Sequence, residues 1–195
     1  MEKKIILTDR DIHELQQRIA DYEDSNAYKK LFFHFFLPLK SFSFSILKSK
    51  EIAEEVVSDV FIEIWAKRKT LPAIEDLKMY LYISVRNLSL RRLKQTQKTS
   101  VLSLDDLAVE FASTDPDAET FLISHELAEK IDLAIDSLPQ QCKIIFKLAK
   151  QDNLKYKEIA KLLNISVKTI DNQLSTALKK IASVLNPSVK KPSRH

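Results

Sequence analysis

The sequence predicts an all-α protein made of two small helical domains joined by a flexible linker, with a helix-turn-helix as the C-terminal domain. Three observations support this fold class. None of the 195 residues is Gly, which disfavours tight β-hairpins and excludes glycine-rich phosphate loops. Apolar residues recur with helical spacing on both sides of residues 96–124. Residues 96–124 themselves are acidic, rich in Ser and Thr, and interrupted by Pro116, a composition typical of a linker.

The expected organisation is therefore a domain at residues 1–95, a linker at 96–124, a second domain at 125–186 and a basic tail at 187–195. The first domain holds 17 basic and 14 acidic residues, whereas residues 96–125 hold one Lys and six acids. Residues 126–195 hold 13 basic and seven acidic residues. Two mildly basic blocks on either side of an acidic segment suggest two modules that face nucleic acid.

Three segments near the N-terminus have helical patterns. Residues 11–20 are amphipathic, and residues 26–47 are rich in aromatic side chains that we expect to form a core, with Pro38 breaking or kinking the helix. Residues 51–67 combine a wide apolar face with an opposite acidic face, in which the apolar Ile62 is set. An acidic face does not suit DNA, but it suits a basic or mixed protein partner.

Residues 67–72 are predicted to form a basic loop, and residues 76–94 the next helix. This helix interleaves Tyr80 and Tyr82 with cations and the amide of Asn87. Aromatic rings stack on unpaired bases while cations follow the phosphates, so the pattern indicates single-strand binding. Tyr80 and Tyr82 cannot both face the same side of a helix, and one of them is therefore expected in the core.

The C-terminal domain is predicted to contain helices at residues 126–138 and from Pro139 onward, followed by a helix-turn-helix at residues 156–185. Asn164 tolerates the left-handed backbone of the turn, and Ser166 is a good N-cap for the second helix. The apolar stripe of that helix is predicted to comprise Ile170, Leu174, Leu178, Ile181 and Leu185. Its opposite face carries side chains that suit base edges and phosphates, namely Lys168, Thr169, Asp171, Asn172, Ser175 and Lys179. An ordinary pair of amphipathic bundle helices is the alternative.

Several kinds of function are not expected. The single Cys142 lies in an apolar run that predicts core packing, and the four His are scattered without metal-site spacing. No nucleophile–base pair or phosphate loop is found, so we expect neither an enzyme nor a cofactor. No apolar run approaches the length of a membrane span, and we expect a cytoplasmic protein without membrane insertion.

Together these blocks resemble the small bacterial sigma factors of the extracytoplasmic-function (ECF) type, over about residues 26–185. The run AEEVVSDVFIEIWAKR is similar to the family's region 2.2, which docks on the clamp helices of the polymerase β′ subunit. The run LYISVRN resembles the region that melts and reads the minus-ten element. Residues 138–181 are similar to region 4, which recognises the minus-thirty-five element and contacts the β flap.

The resemblance implies a sigma factor that binds core RNA polymerase and promoter DNA, with an anti-sigma factor as a further candidate partner. The implied polymerase-docking residues are Asp59, Ile62, Glu63 and Trp65. The implied DNA-binding residues are Tyr80, Asn87 and Arg91 for the minus-ten strand, Lys168, Asn172 and Ser175 for upstream base edges, and Lys157, Lys161, Thr169 and Lys179 for phosphates. The sequence departs from the family at Asn164 and in the loop before Asp76, where many members have Gly. A DNA-binding regulator that never touches polymerase is the alternative function.

Overall fold

The computed structural model describes residues 7–99 and 130–185, except the side chains of 96–99, and all regular structure in these ranges is helical. The chain divides into two compact units, Met1–Val101 and Leu102–His195. The all-α prediction is confirmed. Most of the predicted linker and the predicted tail lie outside the described residues. Among the described residues, no helix combines the length and hydrophobicity that crossing a membrane requires.

The first unit contains helices α1 (Asp9–Tyr22), α2 (Ser25–Leu47), α3 (Lys50–Ala66) and α4 (Leu77–Thr99), with a 3-10 helix at Arg68–Ala73 between the last two. The long helix α2 packs against α1, α3 and α4. Burial of its apolar residues therefore organises the unit, because each of the other helices covers part of the same core. The helix α4 extends through Thr99, past the predicted boundary at residue 95.

Short polar side chains cap these helices. Thr8 and Asp11 form a capping box at the start of α1, and the Asp24 carboxylate accepts from two backbone N–H groups at the start of α2. The Ser49 hydroxyl accepts from Ile52 N at the start of α3, and the Asp76 carboxylate accepts from Met79 N at the start of α4. Each cap satisfies N–H groups that have no partner within the helix, at about 1 kcal/mol per cap.

Two details of this unit differ from the prediction. Of the predicted break or kink at Pro38, the break does not occur, because Phe35 and Leu39 on either side of it are buried in the same core. That packing outweighs the backbone hydrogen bond that Pro cannot donate. The predicted basic loop is instead a 3-10 helix in which Leu71 is buried. Leu71 therefore anchors the connection to the core, although the sequence around it is polar.

The second unit contains α5, described over residues 130–136, then α6 (Gln140–Phe146), α7 (Tyr156–Leu163) and α8 (Val167–Leu185). A single π-helical turn, Lys147–Gln151, continues α6. Pro139 precedes α6 as its N-cap instead of being its first residue, and its carbonyl accepts from Lys143 N at 2.9 Å. Cys142 lies in the core, as predicted, in a cluster with Ala134, Ile135, Leu138, Ala177 and Ile181.

The buried stripe of α8 contains Ile170, Leu174 and Ile181 as predicted, whereas Leu185 is only partly buried and Leu178 lies outside the stripe. Leu178 is 49% exposed, and the buried position between Leu174 and Ile181 belongs to Ala177. Ala177 packs in the same cluster as Cys142 of α6. A small side chain at this position allows α6 to approach α8 closely, whereas sequence spacing alone favoured the larger Leu.

Candidate nucleic-acid and protein interfaces

The turn between α7 and α8 has the geometry that the sequence predicts for a helix-turn-helix. Asn164 adopts the left-handed conformation, with φ 55° and ψ 48°. The carbonyl of Ala160 accepts from the backbone N–H groups of both Asn164 and Ile165. The Ser166 hydroxyl accepts from Thr169 N at 3.0 Å and so caps α8. The left-handed position of this turn, which most often takes Gly, is occupied here by Asn, the next best tolerated residue.

One face of α8 is exposed and polar. Lys168, Asn172, Ser175 and Lys179 are all exposed, and at 100° per residue they lie within about 60° of one another around the helix. The buried residues Ile170, Leu174, Ala177 and Ile181 occupy the opposite side. The helix therefore presents amide, hydroxyl and ammonium groups together. These groups can form hydrogen bonds with base edges and with phosphates.

The remaining phosphate candidates lie around this face. Lys157 and Lys161 are exposed one turn apart on α7. Thr169 differs from them because it is half-buried and its hydroxyl lies 2.8 Å from the Ser166 hydroxyl. Its side chain thus belongs to the cap of α8, and a phosphate would meet it at the start of the helix, where backbone N–H groups point outward.

In the first unit, the predicted single-strand residues share one face of α4. Tyr80, Asn87 and Arg91 are exposed, and their spacing places them within about 40° of one another. Tyr82 is 1% exposed, and its ring lies 5.3 Å from that of Phe42. The expectation that only one of the two tyrosines faces outward is met, and Tyr80 is that residue.

The predicted docking residues on α3 have different environments. Ile62 is 65% exposed, a large apolar side chain facing solvent. Glu63 is exposed and accepts from Lys67 Nζ at 2.6 Å, a hydrogen bond that holds the pKa of Glu63 below its ordinary value. Asp59 is half-buried and forms an ion pair with Arg92 of α4 at 3.0 Å. Docking through Asp59 would therefore compete with an existing contact.

Trp65 is half-buried, as is Asp59. Its ring packs edge-to-face on Tyr28 at a centroid distance of 4.9 Å, and the Arg68 guanidinium lies over it at 5.3 Å. The Tyr28 hydroxyl donates to Phe61 O at 2.8 Å, and partial burial raises the pKa of Tyr28. Trp65 thus fixes the end of α3 against α2, and only part of its ring faces solvent.

An apolar groove beside Ile62 was not found from the sequence. It has a volume of about 290 Å³ and is lined by Tyr28, Lys29, Phe32, Phe33, Ser58, Phe61 and Ile62. Phe33 is 63% exposed and Leu37 69%. The sequence predicts that most aromatic rings of this segment lie in the core, yet helical spacing separates Phe33 and Leu37 from the buried row. That row comprises Leu31, Phe35, Leu39 and Phe42, on the other side of α2.

Metal binding and thiol chemistry find no support among the residues that the structure describes. Within residues 7–99 and 130–185, no group of His, Cys, Asp or Glu could hold a metal ion. The Cys142 thiol donates to Gln173 Oε1 at 2.7 Å, and burial raises its pKa, which keeps it protonated. A protonated buried thiol is a poor nucleophile.

Comparison with known proteins agrees with this two-unit arrangement. The family model described as Sigma-70 region 2 matches residues 35–99, and the model described as Sigma-70, region 4 matches residues 128–181. The ECF RNA polymerase sigma factor RpoE of Cereibacter sphaeroides is 27% identical over 150 residues, which are 75% of this chain and 79% of the relative. The chain belongs to the ECF sigma factors. The sequence-based assignment is thereby confirmed, and promoter recognition and transcription initiation follow from it.

Solved structures share the fold of this sigma factor. The structure of CnrH in complex with the cytosolic domain of CnrY covers 91% of this chain and 99% of its own, with a TM-score of 0.52 and 17% identity. The sigma factor RpoE in complex with the anti-sigma factor NepR from Bartonella quintana covers 83% and 98%, with a TM-score of 0.56 and 18% identity. At these identities the likeness concerns the fold alone.

Proposed function

We propose that this sigma factor divides promoter recognition between its two units, with α8 reading duplex DNA upstream and α4 holding the unpaired strand. The observation that carries the proposal is the clustering of candidate residues on one helix face in each unit. Tyr80, Asn87 and Arg91 align on α4, and Lys168 and Asn172 lie on the polar face of α8. Two separate faces of different chemistry suit two different states of DNA.

The chemistry of the α8 face supports duplex reading. Asn172 offers both a donor and an acceptor, which is the pair that adenine presents in the major groove. Ser175 can donate or accept, and Lys168 and Lys179 add charge at the ends of the face. Phosphate contacts from these cations and from Lys157 and Lys161 would supply affinity, while the base edges supply the register.

The chemistry of the α4 face supports strand binding. The exposed ring of Tyr80 can stack on an unpaired base, a contact worth about 1–3 kcal/mol. Asn87 can bond the polar edge of a base that has left the stack, and Arg91 can follow the backbone. Unstacking a base costs a few kcal/mol, so these contacts together can offset the cost of opening.

Core RNA polymerase would dock on the exposed part of α3. Ile62 and the adjacent groove offer apolar area, and Glu63 offers charge for a basic partner. The sigma factor itself then acts by binding alone, without a cofactor, and the polymerase supplies the catalytic site. Because its partners work on chromosomal DNA, we place the protein in the cytoplasm.

An anti-sigma factor is a further proposed partner. Both solved structures cited above are complexes, one with the cytosolic domain of CnrY and the other with the anti-sigma factor NepR. The exposed Phe33, Leu37 and Ile62 give the first unit an apolar surface that a protein partner could cover.

Transcription with purified core polymerase on a promoter library tests the proposal. We expect the protein to bind core polymerase and to start transcripts at a subset of promoters with shared upstream and downstream elements. A DNA-binding regulator would retain the upstream element but would neither bind core nor start transcripts. That result would exclude the division of labour proposed here.

A further inference from the structure

A buried amide on α1 holds the connection between α3 and α4. Gln16 is 1% exposed, on the same side of α1 as the buried Ile12, Leu15 and Ile19. An amide placed in a core costs about 1–3 kcal/mol unless its groups find hydrogen-bond partners. A position where helical spacing asks for an apolar residue is therefore occupied by a polar one, which needs a specific reason.

The reason lies in the backbone of the turn. The Gln16 side chain donates to Leu71 O at 2.7 Å and to Ile74 O at 3.0 Å. Both protons of one NH₂ group are thereby used. The two carbonyls flank the end of the 3-10 helix, where Ile74 N also donates to Leu71 O at 3.0 Å. The Gln16 amide thus fixes the backbone at the end of the 3-10 helix.

The helix α1 also holds the start of the connection. Glu23, which ends α1 in the left-handed conformation, forms an ion pair with Arg68. Arg68 in turn donates to Trp65 O at 3.2 Å. The 3-10 helix is therefore tied at its first residue and at its last turn to a helix that itself carries no predicted DNA-binding residue.

The hydrogen bond from Gln16 to Ile74 O lies close in sequence to the strand-binding face of α4. One residue separates Ile74 from Asp76, whose carboxylate caps α4 through Met79 N at 2.8 Å. The carbonyl of Asp76 accepts from Tyr80 N at 3.0 Å. A displacement of Ile74 would therefore move the first turn of α4 and the ring of Tyr80 with it. Single-strand recognition is sensitive to such shifts, because stacking and pocket hydrogen bonds require fixed geometry.

We propose that Gln16 is a positioning residue for single-strand recognition, fixing the turn before α4 and thereby the placement of Tyr80. The inference rests on the proposed function, since it presupposes that α4 meets an unpaired strand. Gln16 touches no DNA in this scheme. Loss of the Gln16 amide would lower the discrimination between bases in the single strand. Polymerase docking on α3 and duplex reading by α8 would be unchanged.

The test uses the full chain bound to core polymerase and single-stranded oligonucleotides carrying the downstream element found in the library experiment. Gln16→Met keeps the length and shape of the side chain but removes both donors. Gln17→Met is the matched control, since Gln17 is the exposed neighbour on the same helix. Ser49→Ala controls for stability, because it removes the hydroxyl that caps α3 through Ile52 N at 3.2 Å, outside both α4 and the turn before it. Binding of each oligonucleotide with one base changed gives the discrimination at each position.

We expect Gln16→Met to lower base discrimination by about fivefold, with affinities for core polymerase and for the upstream duplex unchanged. Gln17→Met and Ser49→Ala should keep the wild-type discrimination, although Ser49→Ala lowers the melting temperature. Discrimination that stays at the wild-type value in Gln16→Met, or falls equally in Ser49→Ala, would overturn the inference. Wild-type protein that binds no strand at all would overturn the proposed function as well.

A second variant keeps the test decisive if Gln16→Met does not fold. Gln16→Asn retains the amide but draws its nitrogen back by one methylene, so that it cannot reach both carbonyls. We expect a smaller loss of discrimination in the same direction, about twofold. Unchanged discrimination in a folded Gln16→Asn protein would count against the positioning role.

Discussion

The candidate DNA faces of α8 and α4 differ in what surrounds them. The α8 face carries amide, hydroxyl and ammonium groups opposite a compact apolar stripe. The α4 face has an aromatic ring at its start and lies beside α3, to which Arg92 is joined by an ion pair with Asp59. The difference follows from the DNA state that each face would meet. A closed duplex offers polar edges and phosphates, whereas an open strand also offers the flat faces of its bases.

A second difference concerns protein contacts. The first unit exposes Phe33, Leu37 and Ile62 by more than 60% each, on helices adjacent to the strand-binding helix. On α3 of this unit, Glu54 forms an ion pair with Lys40 and Glu63 forms one with Lys67. Exposed pairs of this kind contribute about 0–1 kcal/mol, so a charged partner can replace them at small cost. The first unit thus offers another protein both apolar area and ion pairs that can be exchanged.

The largest effect is expected from reversing the charge of Asp59 and Glu63, the acidic residues of the predicted docking face on α3. Asp59→Lys combined with Glu63→Lys should weaken core polymerase binding by about 100-fold or more, because like charges then meet a basic partner. Binding of the upstream duplex should be unaffected, since these residues belong to the other unit. Fluorescence-detected binding to core polymerase and a gel-shift with the upstream element measure the two effects.

The matched control for this variant lies on α1. Glu14→Lys with Asp21→Lys makes the same change in net charge at two exposed positions without touching α3. It should bind core polymerase as the wild type does. If both pairs of substitutions weaken binding equally, the effect is one of overall charge and not of a docking face.

A substitution on α8 tests the other side of the comparison. Asn172→Ala should reduce the preference for the correct upstream base by about tenfold, since one bidentate contact contributes about 1–3 kcal/mol of discrimination. Opening of promoters that still bind should proceed at the wild-type rate. Ser183→Ala, at an exposed position further along the same helix, is the control. Loss of upstream choice together with slowed opening would contradict the separation of the two faces.

Substitutions on α4 should have the reverse effect. Asn87→Ala should slow promoter opening severalfold while the upstream duplex is bound as before. Tyr80→Ala should also slow it, by about fivefold or more for a lost stack, whereas Tyr80→Phe keeps the ring and should resemble the wild type. Stopped-flow fluorescence of a base analogue in the downstream element measures opening. Equal rates for Tyr80→Ala and Tyr80→Phe would exclude stacking as the role of Tyr80.

The parts of the fold that depend on neighbouring residues could be predicted from the sequence. The turn at Asn164, the cap at Ser166 and most of the buried stripe of α8 follow from helical spacing and from local hydrogen bonding. The separation of Tyr80 from Tyr82 follows from the same spacing. These features need no knowledge of what packs against the helix.

The parts that depend on distant residues could not be predicted. The continuation of α2 through Pro38 requires knowing that Phe35 and Leu39 are both buried. The ion pair of Asp59 with Arg92 joins residues 33 positions apart, and Gln16 reaches the turn across 55 positions. Ala177 replaces Leu178 in the core because of where α6 lies. Sequence spacing assigns a residue to a face, but only the packed structure shows what that face meets.

The N-terminal caps of α2 and α8 differ in charge, because the cap of α2 is ionised and the cap of α8 is not. The carboxylate of Asp24 caps α2, and hydrogen bonds from Ala27 N and from Arg18 lower its pKa below the ordinary value of 3.8. The hydroxyl of Ser166 caps α8 and does not titrate in this range. The folded state therefore releases the Asp24 proton more readily than the unfolded state does. Stability from this cap is complete at neutral pH and is lost as the pH falls from about 5 through the folded-state pKa.

Asp24→Asn should flatten this part of the acid dependence, because the single carbonyl oxygen of Asn caps a helix about as well as Asp does. At neutral pH the variant should lose only the partly exposed ion pair with Arg18, a contact of small energy. The single Trp65 lies in the first unit, so its fluorescence reports thermal unfolding there between pH 7 and pH 3. Ser166→Ala should instead destabilise the second unit by about 1 kcal/mol at every pH in this range, a change that amide signals of α8 would follow and Trp65 would not. If the Trp65 midpoint of Asp24→Asn falls with acid as steeply as that of the wild type, the ionised cap is not what makes the start of α2 sensitive to pH.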